Sequence, residues 1–561
     1  MTHFSWALDG SIVGVYLLAT MIAGIMVRKY VGKVEHFLIA GREMNLYLGI
    51  ASLAATEFGV VTCMYTAQAG YKYGFAGATP GLVMAVAMFV VGWTGFCVKP
   101  LRDSGVMTIP ELFEKKFGPG VRWLAGVVIV LGGLLNMGVF LRIGGDFLVL
   151  ACGLDARYLE ITMTVLLVAV AVYTILGGML SVLVTDFLQF VVMSIGLIVV
   201  TALILWKVGW STLANTVQTH YGDGGFNPFV HAGMGWEYVA FNCLLNLAAV
   251  LTWQTTIARL LAAKDTATGL KIYTRTSFFF VCRFLIPGVW GVAALTVLGW
   301  APLTALDAST ELDQLSPVVR QKVEASQAPN ALAIVATDEA YAKLSPDKQK
   351  YTLTKAEADS IPEGIRTKLD NVSLHAMPRF LSTFVPIGLM GLLIAAMLAA
   401  DMSTDSSYML TWGSVIYNDI MAPLHKRRWS EKKGLLWNRF IVAGIGIFLL
   451  VYGLWYPLKG DLWTYLGLTG TIYLASISVL LIACCYWKRA NNWGAYGAII
   501  AGAAFPVAYL IMEKMDGTKP LTDQIGPYYS GIAAYVVTGL AMVVGSLLKP
   551  QSSVSDNGAQ P

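Results

Sequence analysis

Leu398-Ala399-Ala400-Asp401-Met402-Ser403-Thr404-Asp405-Ser406-Ser407 lies inside an otherwise apolar run from about Phe384 to Leu410. A run of that length crosses a bilayer as a helix, which needs about 20 mostly apolar residues. This one carries two carboxylates and four hydroxyls, groups that are expensive in lipid and mark ion or substrate pathways. On a helix Ala400, Ser403, Thr404 and Ser407 share one face, because residues three and four apart stack on one another. That face offers a carbonyl and three hydroxyl oxygens, a neutral oxygen set suited to a small hard cation. The same spacing also serves helix packing and hydroxyl bonds back to the helix's own carbonyls. Read alone, the stretch leaves both open.

Composition supplies the surroundings. Of the 561 residues 56% are hydrophobic and 13% charged, and mean hydropathy is +0.64, far from the balance of a soluble protein. The class is an all-α polytopic membrane protein, with the lipid bilayer as its solvent. The net charge of +5 is spread along the chain, so it reports topology and gives no nucleic-acid face. Cys63, Cys97, Cys152, Cys243, Cys282, Cys484 and Cys485 fall mostly in apolar runs without disulfide or zinc spacing. The six histidines sit at flanks and in loops. No nucleophile with a base, and no metal cluster, points to an enzyme. Asp9 precedes the first apolar run and no small-residue cleavage site follows it, so the first span is expected to be retained.

Apolar runs predict roughly thirteen spans. Counting the first as span 0, they begin near Asp9, Met44, Phe75, Val121, Tyr158, Leu180, Trp236, Thr276, Phe380, Leu436, Asp461, Trp493 and Tyr528. Lys and Arg gather in nearly every second loop: Arg28, Lys29, Lys33 and Arg42; Lys99, Arg102, Lys115, Lys116 and Arg122; Lys264, Lys271 and Arg275; Lys426, Arg427, Arg428, Lys432 and Lys433; Lys488 and Arg489. Positive loops face the cytoplasm, which places the N-terminus outside and the C-terminus inside. The polar segment 301–377 is then an external loop, in which Ser316 to Val323 has the pattern of a surface helix. Asn371-Val372-Ser373 is a glycosylation sequon. The expected organisation is an N-terminal helix and loop over 1–43, a first half over 44–207, an external loop over 208–235, a second half over 236–487, C-terminal helices over 488–550 and a polar tail over 551–561.

Within the spans, polar residues interrupt the apolar pattern at corresponding places. Span 1 reads Ala54-Ala55-Thr56-Glu57-Phe58-Gly59, where a glycine lets the helix open and frees carbonyls at membrane depth. Span 6 carries Asn246, Thr252, Trp253, Gln254, Thr255 and Thr256. If spans 1–5 and 6–10 are inverted halves, spans 1 and 6 are counterparts, and such paired interruptions point to a transporter's binding site. Span 3 contains Arg142 and Asp146 at i,i+4. They either pair with each other or free Arg142 for an anionic solute group or for Asp401 and Asp405.

The chain becomes recognisable at Tyr173-Thr174-Ile175-Leu176-Gly177-Gly178-Met179-Leu180-Ser181-Val182-Leu183-Val184-Thr185-Asp186-Phe187-Leu188-Gln189, which resembles the signature of the sodium/solute symporter family. Phe37-Leu38-Ile39-Ala40-Gly41-Arg42, Thr108-Ile109-Pro110-Glu111-Leu112-Phe113-Glu114 and Ala258-Arg259-Leu260-Leu261-Ala262-Ala263-Lys264 agree with it. Ala399-Ala400-x-Met402-Ser403-Thr404 is similar to the proline-carrying branch. The resemblance runs from about residue 10 to about residue 490. It implies a LeuT-like 5+5 inverted repeat with an extra N-terminal helix and two or more C-terminal helices. It also implies Na+ bound by the carbonyls of Ala55, Phe58 and Ala400 and the hydroxyls of Ser403 and Thr404. Some members have a second sodium site where Asp186, Ser406 and Ser407 stand, so two Na+ per cycle are expected. Glu57 falls where the proline branch has an acid near the sodium. Solute contacts are expected from Glu57, Gly59, Thr62, Trp253, Gln254, Thr471 and Tyr473, with Arg142 for an anionic group. Asp401 and Asp405 depart from the family pattern. As close like charges they resist joint ionisation, and binding a cation, carrying a proton or pairing with Arg142 all stay open.

The implied function is sodium-coupled import of a small polar organic solute by alternating access, in the plasma (inner) membrane and as a monomer. A sodium-independent facilitative carrier is the nearest rival. A transporter-like membrane sensor is the other, and the short polar tail speaks against it.

Overall fold

A bilayer interior satisfies no backbone group, so each apolar run either closes its hydrogen bonds as a helix or breaks where other protein groups answer it. The computed structural model describes residues 3–231, 233–298, 314–325, 333–335, 341–342, 346–350, 352–354, 356–357, 360–425, 429–456, 461–515 and 517–549. Lys426, Arg427, Arg428, much of the 301–377 loop and the 551–561 tail lie outside these residues. The helices that form and support the site, in chain order, are α1 (Asp9–Val27), α2 (Leu46–Glu57), α3 (Val60–Tyr73), α4 (Thr79–Thr94), α5 (Ile109–Phe117), α6 (Pro119–Met137), α7 (Phe140–Cys152), α8 (Leu159–Lys207) and α9 (Gly235–Thr252). They continue with α10 (Gln254–Ala262), α11 (Thr266–Leu298), α12 (Glu363–Phe384), α13 (Leu389–Val415), α14 (Glu431–Trp455), α15 (Leu462–Tyr486), α16 (Asn492–Met512) and α17 (Lys519–Leu548).

Eleven described stretches are long and apolar enough to cross a membrane, where thirteen spans were expected. The difference lies in runs that the structure joins, Val60–Thr94 and Ala156–Lys207. The second is 52 residues long, over twice what one crossing needs. It turns back at Gly178, whose φ of 52° and ψ of −145° lie outside any helix. A Cβ on Gly24 of α1 would meet both Tyr173 and Thr185 within 3.1 Å, which a straight helix would hold about 18 Å apart at 1.5 Å per residue. The Gly177-Gly178 pair is therefore the corner at which two arms of α8 meet α1.

Span 8 begins at Leu389, later than the expected Phe380. Proline at 386 forces the preceding Val385 into extended backbone (φ −80°, ψ 125°) and ends α12. Asp9 then caps the restart: its Oδ1 accepts from the amides of Gly388 and Gly391, both at 2.7 Å. That ties the N-terminal helix to the helix carrying the hydroxyl face, and α8 packs along α13 on another side. In the loop, Pro317–Ala325 is helical as its pattern predicts. Ala333–Val335 and Thr352–Thr354 pair as two short parallel strands, β1 and β2. The sequon lies on α12, where Ser373 is buried and accepts from Gln68 Nε2 at 3.0 Å.

At Gly178, alanine meets both a backbone conformation closed to it and a Cβ position 2.6 Å from the Phe37 ring. Gly178→Ala is expected to destabilise the protein by about 1–3 kcal/mol, read as a lower melting temperature of the purified protein in detergent.

Candidate functional site

The first span opens where its sequence reads Glu57-Phe58-Gly59. Helix α2 ends at Glu57, Phe58 takes φ −103° and ψ 61°, and α3 starts again at Val60. Gly59 itself has φ −77°, a value open to any residue. What it supplies is space, since a Cβ there would stand 2.6 Å from Thr404 Oγ1. The Thr404 hydroxyl lies 2.9 Å from the carbonyl of Thr56 and 2.9 Å from that of Ala400, and donates to one of them. The Ala55 carbonyl accepts only a long 3.3 Å bond from Phe58 N. The opened end of α2 is thus set against the hydroxyl face of α13, with uncharged oxygens from both. A small hard cation finds its preferred ligand chemistry there.

One turn along the same face the surroundings change. Asp186 on α8 is fully buried, and its Oδ1 accepts from Ser403 Oγ at 2.7 Å and its Oδ2 from Ser52 Oγ at 2.5 Å. Arg259 on α10, also fully buried, places Nη2 3.0 Å from Asp186 Oδ2, 2.7 Å from Thr56 Oγ1 and 2.5 Å from Ser407 Oγ. Asp186 and Ser407 therefore surround a guanidinium. Ser406 points elsewhere, donating to the Ser403 carbonyl at 3.1 Å.

A second break faces the first. Helix α9 ends at Thr252, Trp253 is extended (φ −64°, ψ 120°), and α10 starts at Gln254. Glu57 joins the two breaks: its Oε1 accepts from Thr255 Oγ1 at 2.7 Å and Thr256 Oγ1 at 3.1 Å. Its Oε2 accepts from Arg283 Nη1 of α11 at 3.2 Å. Beside this cluster lies a cavity of about 90 Å³, lined by Glu57, Gly59 and Thr62 at the first break, Trp253 at the second, Arg283 on α11, Thr404 and Tyr408 on α13, and Trp463 on α15. Thr404 borders both the cavity and the hydroxyl face. Trp253 Nε1 donates to Tyr408 OH at 3.2 Å, and Tyr65 lies 5.0 Å from Trp463 and 5.7 Å from Phe284, centroid to centroid.

Of the expected solute contacts, Glu57, Gly59, Thr62 and Trp253 line this cavity. Gln254 does not; its amide turns back to the Thr252 carbonyl at 3.1 Å. Thr471 bonds to the Gly467 carbonyl of its own helix, and Tyr473 stacks outside the cavity on Trp253, because α15 presents Leu466, Gly467, Gly470 and Leu474 instead. Arg142 donates to the Gly453 carbonyl at 3.3 Å and forms no ion pair with Asp146, Asp401 or Asp405. Asp401 packs on α7, where a Cβ on Gly144 would stand 2.7 Å from its carboxylate oxygens. Asp401 Oδ2 and both oxygens of Asp405 are buried without a hydrogen-bond partner among the described residues.

Two central residues went unmarked in the sequence reading. Arg259 stands in the sequence only as part of the motif Ala258-Arg259-Leu260-Leu261-Ala262-Ala263-Lys264, and Arg283 lies inside Phe280-Val281-Cys282-Arg283-Phe284. A lone arginine in a membrane-length apolar run is itself a signal.

Comparison with known proteins gives the family and the fold. Residues 37–332 and 354–502 match the family model Sodium:solute symporter family. The sodium/glucose cotransporter 4 of Danio rerio is 25% identical over 551 residues, covering 91% of this chain and 73% of that protein. The sodium/glucose cotransporter 1 of Oryctolagus cuniculus is 25% identical over 583 residues, with 96% and 79% covered. The sodium/myo-inositol cotransporter of Mus musculus is 24% identical over 568 residues, with 97% and 74% covered. A solved substrate-bound, outward-open Na+-coupled sialic acid symporter shares the fold with a TM-score of 0.70 at 18% identity, covering 98% of this chain and 99% of that one. These matches do not establish the proline-carrying branch. The chain belongs to the sodium:solute symporter family, and is a LeuT-like, multi-pass membrane transporter, not an enzyme, that couples movement of a solute to Na+.

Proposed function

We propose that the chain imports a small polar organic solute together with one Na+ by alternating access. The observation that carries this reading is the position of Thr404, which meets the opened end of α2 and also borders the cavity. Na+ held by the carbonyls of Ala55, Phe58 and Ala400 and the hydroxyls of Ser403 and Thr404 bridges the broken helix to α13 and favours the outward-open form. Solute then binds next to it, and loss of Na+ to the cytoplasm releases both. The coupling is the difference in affinity between the two forms, and it is reciprocal between ion and solute. Each charge carried inward at 100 mV adds about 2.3 kcal/mol of driving force.

Arg259 argues for one sodium where the sequence led us to expect two. Its guanidinium already supplies positive charge among Asp186, Thr56 and Ser407. A second Na+ there would have to displace a buried ion pair and leave an uncompensated guanidinium, which is strongly unfavourable. We read the N-terminus as outside and the C-terminus as inside, in the inner membrane, a reading supported by the alternation of Lys- and Arg-rich loops. One copy contains both breaks and the cavity, which supports a monomer as the working unit.

Thr404→Ala and Gly59→Ala should both abolish the stabilisation that Na+ confers on the purified protein, since the first removes a ligand and the second drives a methyl into it. An unchanged sodium-induced melting shift in both variants would misplace the ion. The initial rate of uptake should rise with sodium with a Hill coefficient near one. Arg259→Gln should destabilise the fold by about 3–5 kcal/mol by stranding Asp186, and adding Asp186→Asn should restore much of the loss; a double variant no better than the single one would dissolve the pair. The rival reading predicts solute counterflow in sodium-free proteoliposomes, and none is expected.

A further inference from the structure

The cysteines show no disulfide spacing along the chain, but the fold sets two of them against each other. The turn after α4 reads Gly95-Phe96-Cys97, and Cys97 takes φ 59° and ψ −40°. A residue with a Cβ adopts that backbone at a cost in free energy and stays there only where its surroundings hold it. What holds it is the last turn of α15. The amide of Cys97 donates to Tyr486 OH at 2.9 Å, and the rings of Phe96 and Tyr486 stack with centroids 5.2 Å apart and planes 6° apart. The same docking puts the thiol of Cys97 in hydrogen-bond contact with that of Cys485. Cys484, one residue back, points about 100° round the helix.

The two thiols differ in access. Cys97 is fully buried and Cys485 half-buried. Lys116 of α5 adds positive charge at the same corner: its Nζ donates to the carbonyls of Ala483 and Trp487, each at 2.8 Å, and of Cys484 at 3.0 Å. Thiolate is the form that attacks an oxidant, and a neighbouring ammonium favours it. A reachable thiol with a second one already beside it is the arrangement that captures a sulfenic acid as a disulfide. Buried Cys97 needs no access of its own, because Cys485 brings the oxidised sulfur to it. The contact also joins two groups of helices. Helix α4 packs chiefly on α11, which α2 and α3 on either side of the first break also touch, whereas α15 packs chiefly on α16, α6 and α17. On the alternating-access reading above, transport rocks helix groups against each other, and a covalent tie here holds them at one relative position.

We propose that Cys97 and Cys485 are a peroxide-sensitive modification site whose disulfide latches the end of α4 to the end of α15. The Cys485 thiolate attacks hydrogen peroxide, the O–O bond breaks, one proton is taken up, and a water leaves with Cys485 as the sulfenic acid. The Cys97 sulfur then attacks the sulfenic sulfur, and its proton departs with the hydroxyl as a second water. The two thiols lose two electrons and the peroxide gains them; a dithiol reductant reverses the step.

The test treats the full-length purified protein with hydrogen peroxide. Peptide mapping should recover one cross-link joining Cys97 to Cys485, with both free thiols lost and both restored by dithiothreitol. Cys97→Ser should leave Cys485 as a sulfenic acid that dimedone traps, and Cys485→Ala should leave Cys97 unmodified. Amide hydrogen exchange in α2 and α10, followed in sodium-free buffer, should slow in the oxidised protein and recover on reduction. Each variant's melting transition reports that it is folded; if Cys97→Ser is not, Cys485→Ala, which alters the half-buried partner, carries the comparison. Both thiols still free after peroxide has oxidised an equal concentration of glutathione would overturn the proposal, as would a cross-link through Cys484 in place of Cys485. A disulfide that forms without slowing exchange in α2 and α10 would overturn the latch, while stabilisation of the reduced protein by Na+ would leave the transport reading standing. Slowed exchange in the oxidised protein, with no response of the reduced protein to Na+, would do the reverse.

Discussion

Backbone that leaves a helix inside a bilayer must be answered by protein, because lipid offers neither donor nor acceptor. Helices α2 and α3 part at Phe58 and Gly59, and the answer comes from the hydroxyl face of α13. That requirement explains several residues at once. Gly59 has no side chain because Thr404 stands where its Cβ would be. Thr404 is a hydroxyl because the Thr56 carbonyl has lost its helical partner. Asp9 caps the restart of α13, which fixes the height at which that hydroxyl meets the break.

The two halves of the site use buried charge differently. Four hydroxyl-bearing residues surround Arg259 and Asp186: Ser52 and Thr56 touch both, Ser403 bonds to Asp186 and Ser407 to Arg259. That network locks α2, α8, α10 and α13 together, and truncating either charge leaves the other stranded. Arg283 and Glu57 form the more open pair. Arg283 borders the cavity, and its Nε is buried with no partner among the described residues. Asp401 and Asp405 fit neither pattern: they are buried on α13, pair with neither arginine, and have three oxygens unpartnered among the described residues.

Much of this was legible before any coordinates. The membrane class follows from hydropathy, the break in span 1 from a carboxylate and a glycine in an apolar run, and the break in span 6 from its polar cluster. The corner in α8 at Gly178 falls just before Leu180, where a new span was expected. The start of span 8 was misread because hydropathy runs smoothly through Phe384, whereas Pro386 and Gly388 interrupt the backbone without interrupting the apolar pattern. Gln254, Thr471 and Tyr473 were assigned to the solute by position in the chain. A shift of one residue turns a helical side chain by about 100°, enough to take it off the cavity wall.

The sequence by itself determined which segments cross the membrane, where two of them cannot remain helical, and which face of span 8 carries oxygen. Each of these rests on local periodicity and on lipid acting alike on every residue it touches. Tertiary structure alone decided how charge is paired. Asp186 meets Arg259 across 73 residues and Glu57 meets Arg283 across 226, while Arg142 and Asp146, four apart on one helix, do not pair. Coulomb attraction acts through space, and the distances that govern it exist only once the helices are packed.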